Sequence, residues 1–103
     1  MSRSDFLAAA RGRRVHMPGF LLQIRDRNEN GPARVGFTCS KKVGNAVARN
    51  RAKRRLREIA RIVLADLARP GHDYVLIGRA TVTATRPFDQ MLSDLRQALE
   101  RGA

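Results

Sequence analysis

Only one residue of the 103 is a cysteine, Cys39, so the chain can form no internal disulfide and no cysteine-built zinc site. Tryptophan is absent and aromatic residues make up 5%, too few for the interleaved stacking platform of single-strand binders. No apolar run approaches the roughly 20 residues needed to cross a bilayer. The N-terminus MSRSDFLAAARGRR has neither the apolar core nor the cleavage region of a secretory signal. With the lone thiol, these features predict a reducing, cytoplasmic setting and no membrane partner. Negative charge is scarce as well: nine Asp and Glu stand against 21 Lys and Arg, giving a net charge of +12.

What is present is enough for one folded domain, taken as residues 1–103, with 43% of positions hydrophobic. The positive charge is not spread evenly. Between Lys41 and Arg61, in KKVGNAVARNRAKRRLREIAR, nine residues are basic and only Glu58 is acidic. That stretch carries +8 of the net +12. Self-repulsion makes such a patch costly unless a polyanion lies against it.

Along the chain, Ser4 is placed to cap a short helix from Asp5 to Arg11 that Gly12 ends. His16 to Arg25 reads as extended, with Phe20, Leu22 and Ile24 alternating and Pro18-Gly19 breaking or bulging its start. DRNENGP is a turn by composition, and Arg34 to Ser40 follows as a second strand. Val35, Phe37 and Cys39 share one face of it, and the two runs are expected to pair as a hairpin. A long helix begins between Asn45 and Asn50 and runs to about Ala68, before Pro70-Gly71. Tyr74 to Gly78 is a continuous apolar run and so a buried strand. A last helix spans about Pro87 to Arg101, where Phe88, Met91, Leu92, Leu95 and Leu99 keep helical spacing. The predicted class is α+β.

The long helix has two faces. Ala52, Leu56, Ile59, Val63 and Leu67 lie within an arc of roughly 80°, a core stripe. Asn50, Arg54, Arg57 and Arg61 sit near the opposite pole, flanked by Arg51, Arg55 and Lys53. A solvated helix face normally mixes signs, because opposite charges four apart stabilise and like charges cost. Here Lys53/Arg57, Arg57/Arg61 and Arg51/Arg55 are like-charged, against one pair of opposite sign, Arg54/Glu58. The SKKVGN loop adds Lys41 and Lys42 at the helix start, where backbone N–H groups favour phosphate. The pattern points to a structured nucleic acid lying along the helix. On residues alone, a structural RNA-binding protein of ribosomal type fits equally well.

Chemistry by the chain itself has few candidates. Phosphodiester cleavage needs an acid–base pair or carboxylates that hold metal. His16 and His72 carry no motif, Asp66 and Asp73 only flank a helix end, and Asp89 and Asp94 do not share a helical face. Cys39 alternates with core positions and reads as packing. No catalytic residue and no metal ligand is assigned.

The run SKKVGNAVARNRAKRRLRE, above all Arg49-Asn50-Arg51-x-Lys53-Arg54-x-x-Arg57, resembles the signature of the bacterial ribonuclease P protein subunit. Asp5-Phe6 upstream, RVGFTCSKK leading in and DYVLIGR downstream agree with it. The resemblance implies a small α/β sandwich with a mostly antiparallel sheet and a left-handed β-α-β crossover through the basic helix, against the usual hand. It implies a subunit that assists a catalytic RNA in removing the 5′ leader of precursor tRNA. It further implies RNA contacts from Lys41, Lys42, Arg49, Asn50, Arg51, Lys53, Arg54 and Arg57, with Arg61 on the same face, and a leader cleft lined by Phe6 and Phe20. Magnesium is expected in the RNA-containing holoenzyme, and no protein partner is implied. In two places the chain departs from the family: only MSRS precedes Asp5-Phe6, and Ala10 stands where some relatives have a second aromatic.

Overall fold

The longest element begins where its first turn finds a cap. In the computed structural model, which describes residues 1–102, the Asn45 side chain accepts a hydrogen bond from the Ala48 N–H at 2.9 Å. From there α2 runs Ala46–Leu67, and the backbone turns extended at Ala68, just ahead of Pro70. Its buried residues are Ala52, Leu56, Ile59, Ala60, Val63 and Leu64. The predicted stripe therefore holds through Val63 and fails at Leu67, which is 49% exposed. The buried seam shifts to Ala60 and Leu64, and Leu67 instead lines an open cavity with Ile24 and Leu99.

Four strands form one sheet in the order β1-β2-β4-β3: β1 Arg13–His16, β2 Phe20–Asp26, β3 Arg34–Thr38 and β4 His72–Gly78. β1 pairs antiparallel with β2, β2 antiparallel with β4, and β3 parallel with β4. The sheet is mixed and mostly antiparallel, and α2 is the crossover between its two parallel strands. Two expectations are corrected here. The extended run after His16 is half of a hairpin, whose turn at Pro18-Gly19 is closed by Met17 N–H to Phe20 O at 2.9 Å. The expected β2–β3 hairpin does not form, because β4 lies between them. A strand as apolar as Tyr74–Ile77 needs a neighbour on each side. The DRNENGP loop is tied to that strand's entry: Arg27 N–H donates to Gly71 O at 2.9 Å and Gly71 N–H to Gly31 O at 2.6 Å.

Register then sorts the residues by face. Val15, Phe20, Leu22, Ile24, Tyr74 and Leu76 form one core layer with α2 and with α4 (Phe88–Arg101), which contributes Met91, Leu95 and Ala98. Gln23, Val75 and Gly36 share the other face and are buried. Helix α1 (Arg3–Ala10) packs against β2 and β4. It starts two residues earlier than expected. Ser2, not Ser4, is the cap, because Asp5 then falls three residues on and closes a capping box with it. A short helix that composition did not announce, α3 (Val82–Thr85), buries Thr83, whose hydroxyl donates to Gly19 O at 2.6 Å.

Candidate nucleic-acid interface

Asn50, Arg51, Arg54, Arg57 and Arg61 are exposed on α2, while Arg49 and Lys53 are half-buried on its flanks. Lys41 and Lys42 are exposed on a 3-10 turn, Lys41–Val43, capped by Ser40. Gly44 then turns the chain into α2 at φ 142°, a conformation that L side chains rarely adopt. Arg49 bridges the two segments by donating to Gly44 O at 3.5 Å. Among the described residues no carboxylate lies within 4 Å of Lys41, Lys42, Arg49, Arg51, Lys53, Arg54 or Arg57. Arg61 differs, because it pairs with Glu58, which lowers the Glu58 pKa and raises that of Arg61.

Arg55 belongs to the same basic run and has another task. It donates to Thr83 O at 2.9 Å and Arg86 O at 2.6 Å, with its guanidinium 5.9 Å from the Phe88 ring centre. It fastens α2 to α3 and to the start of α4. Nothing in the local sequence marks it, since its partners lie 28 and 31 residues away.

A second arginine cluster sits at the opposite register end of the sheet. Asp73 is fully buried and accepts from Arg27 at 2.5 Å and from Arg34 at 2.8 Å on each oxygen, with Arg25 at 3.6 Å. Asp5 of α1 joins it, 3.1 Å from Arg34 and 3.5 Å from Arg25. The Arg34 and Arg27 hydrogen bonds hold the Asp73 carboxyl below its ordinary range. The Ser2 backbone N–H and hydroxyl, then Arg34, lower Asp5 to about 2. Each arginine here is answered by a carboxylate.

The two aromatic positions part company. Phe20 is 0% exposed in the core layer, so the expectation that it lines a cleft is corrected: its ring has no free face. Its position in β2 faces α2 and α4 by strand alternation. Phe6 is half-buried on the other side of the sheet, against Gly36, where a Cβ would come within 2.6 Å of its ring. One register step beyond Gly36, the row His16, Leu21, Ile77 and Thr38 crosses the sheet and is incompletely buried.

The candidates for acid–base chemistry are dispersed. His72 Nδ1 is 2.9 Å from Pro70 O, and His16 is exposed. Asp94 is buried and takes Arg86 at 2.8 and 3.1 Å and Gly19 N–H at 3.1 Å. Burial pushes the Cys39 thiol up. Among the described residues no three His, Cys, Asp or Glu side chains gather as a metal site, and no helix is long and apolar enough to cross a membrane. A cavity of about 820 Å³ between α1, β2 and α4, reached from α2 by Leu67, carries Asp26 and Glu100 among its arginines and is lined by none of the α2 cations.

Comparison with known proteins agrees with the geometry. A family model described as Ribonuclease P matches residues 1–102. Over 101 residues the chain is 65% identical to the ribonuclease P protein component of Ruegeria pomeroyi, covering 96% of this chain and 81% of that one. Of solved structures, the RNase P protein of Staphylococcus aureus matches with a TM-score of 0.77 at 26% identity, over 98% of this chain and 91% of that one. The RNase P protein of Thermotoga maritima gives the same score and identity over 96% and 91%.

Proposed function

The chain belongs to the ribonuclease P protein family, and from that premise we propose that α2 binds the catalytic RNA while the sheet face beside Phe6 takes the precursor-tRNA leader. The family membership makes it a subunit of the ribonuclease P endoribonuclease, acting with an RNA. The observation that carries the residue assignment is the set of exposed and half-buried cations with no carboxylate within 4 Å among the described residues. Folding gains nothing from leaving them unanswered, and phosphate would answer them. Arg49, Arg51, Arg54 and Arg57 supply planar forks suited to two phosphate oxygens each. Lys41, Lys42 and Lys53 add point charges, Asn50 a neutral hydrogen-bonding group, and Arg61 a weaker contact shared with Glu58.

Phe6 is half-buried where α1 packs over Gly36, and the part of its ring left open gives an unpaired nucleotide a surface to stack on. These residues bind and orient; the scissile phosphate is left to the RNA, with magnesium supplied to the RNA-containing holoenzyme. The buried carboxylates Asp73 and Asp94 support that division, since both are committed to arginine pairs.

The test is processing of precursor tRNA. Chain alone should leave the substrate intact, and adding the catalytic RNA should give correct 5′ cleavage at low magnesium. RNA-free cleavage that disappears in His16→Ala or His72→Ala would sink the proposal.

A further inference from the structure

Beside the α2 cations runs a groove of about 520 Å³ between that helix and β3, within the size range of small-ligand sites, roughly 300–1,000 Å³. Its apolar wall is Val35 and Phe37 of β3 and Ala60 and Leu64 of α2. Ala33 and Ala68 keep its far end wide, since neither carries more than a methyl group. Arg57 and Arg61 form one lip, and the Arg57 guanidinium stands 5.8 Å from the centre of the Phe37 ring. β3 is an edge strand, so half of its backbone N–H and C=O groups have no strand to pair with on that side.

We infer that this groove takes an unstacked nucleobase of the RNA partner, with Arg57 and Arg61 on the flanking phosphates. The inference rests on the proposal that α2 is the RNA-binding face, and it adds a contact of a different kind. An apolar slot with a cationic lip fits a flat apolar ring joined to a phosphate. The edge of a strand offers donors and acceptors to the rim of such a ring, and the Phe37 ring gives it an aromatic wall beside the Arg57 guanidinium. The groove is continuous with the cation row: Lys53, Arg57 and Arg61 succeed one another at steps of four along the same flank of the helix. The rival occupant is a second copy adding a strand to β3. Two chains of net charge +12 would repel, and each would bring its own Arg57 and Arg61 to that edge.

The two kinds of contact respond differently to salt. Phosphate contacts set the slope of affinity against salt, whereas base stacking contributes at every salt concentration. Ala68→Phe fills the groove from the helix side, and Ala33→Leu fills it from the strand side, should the first variant fold poorly. With transcribed catalytic RNA, either folded variant should bind about tenfold more weakly at all salt concentrations, with an unchanged slope. A loss of that size lies within the range of about 5- to 150-fold that one stacked base provides. Wild-type affinity in both folded variants overturns the inference, as does a loss that disappears at high salt. So does a wild-type dimer in sedimentation that both variants convert to monomer with RNA affinity intact, which assigns the groove to a second copy. Arg54→Ala, measured in parallel, separates the two levels. If it lowers affinity and slope while the groove variants do nothing, only the groove falls; if it too does nothing, the α2 proposal falls.

Discussion

Two groups of arginines, close in number and unlike in surroundings, divide the work of this molecule. Arg25, Arg27 and Arg34 converge on Asp73 and Asp5, with N–O distances from 2.5 to 3.6 Å. Arg49, Arg51, Arg54 and Arg57 have no carboxylate within 4 Å among the described residues. The first group answers a charge buried inside the chain and therefore belongs to folding. The second needs a charge from outside and therefore belongs to binding. Net charge does not distinguish the two groups, but local pairing does.

The largest effect should come from breaking the paired cluster. Asp73→Asn leaves three arginines around a buried neutral group, and removing one partner of a buried pair costs about 3–5 kcal/mol. Urea unfolding should show that loss, while the folded variant keeps its salt slope for RNA. The same cluster sets the acid limit. Asp5 and Asp73 both titrate below their ordinary value of 3.8 in the folded state. Their contribution is therefore fully present above about pH 4 and is lost on acidification, that of Asp5 as the pH falls toward about 2 and that of Asp73 in the same direction. Melting temperature against pH should drop over that window, and Asp73→Asn should flatten the drop.

Next in size is Arg55, which sits in the basic run and yet behaves as a member of the first group. Losing its bonds to Thr83 O and Arg86 O should cost about 1–3 kcal/mol of stability. The RNA salt slope of Arg55→Ala should match wild type. A shallower slope with stability intact would move Arg55 to the binding side.

Phe6→Ala tests the remaining face. Stacking is worth about 1–3 kcal/mol per base, so affinity of the assembled enzyme for a long-leader precursor should fall by that amount. Affinity for mature tRNA should stay level. Equal losses on both substrates with a lowered melting temperature would make Phe6 a packing residue over Gly36 and nothing more.

Local patterns carried much of this. The stripe Ala52 to Val63, the apolar β4 and the spacing in α4 are all set by neighbours within a few residues and were legible, whereas the start of α2 was bounded only to Asn45–Asn50 and its cap proves to be Asn45. Of the cations that the family signature named, Arg51, Arg54 and Arg57 are exposed and Arg49 and Lys53 are half-buried. What could not be read depends on partners distant in sequence. β4 comes between β2 and β3 after a separation of some 40 residues, so no hairpin signal marks it. Asp73 looked like a helix-end residue because Arg27 and Arg34 lie 46 and 39 positions away. Phe20 was placed in the cleft by the resemblance alone, and the core that buries it is built with α2 and α4, far along the chain. Arg55 was placed correctly on a flank of α2, but α3, which it grips, has no periodic pattern.

The contrast between the two clusters is tested most directly by the salt dependence of catalytic-RNA binding in three proteins: wild type, Arg34→Ala and the double variant Arg54→Ala/Arg57→Ala. Each lost phosphate contact lowers the magnitude of the slope of log K against log salt by roughly 0.7–0.9. The double variant should therefore be shallower than wild type by about 1.4–1.8, with its melting temperature nearly unchanged. Arg34→Ala should keep the wild-type slope and lose stability. A shallower slope for Arg34→Ala, or a wild-type slope for the double variant, would contradict the account.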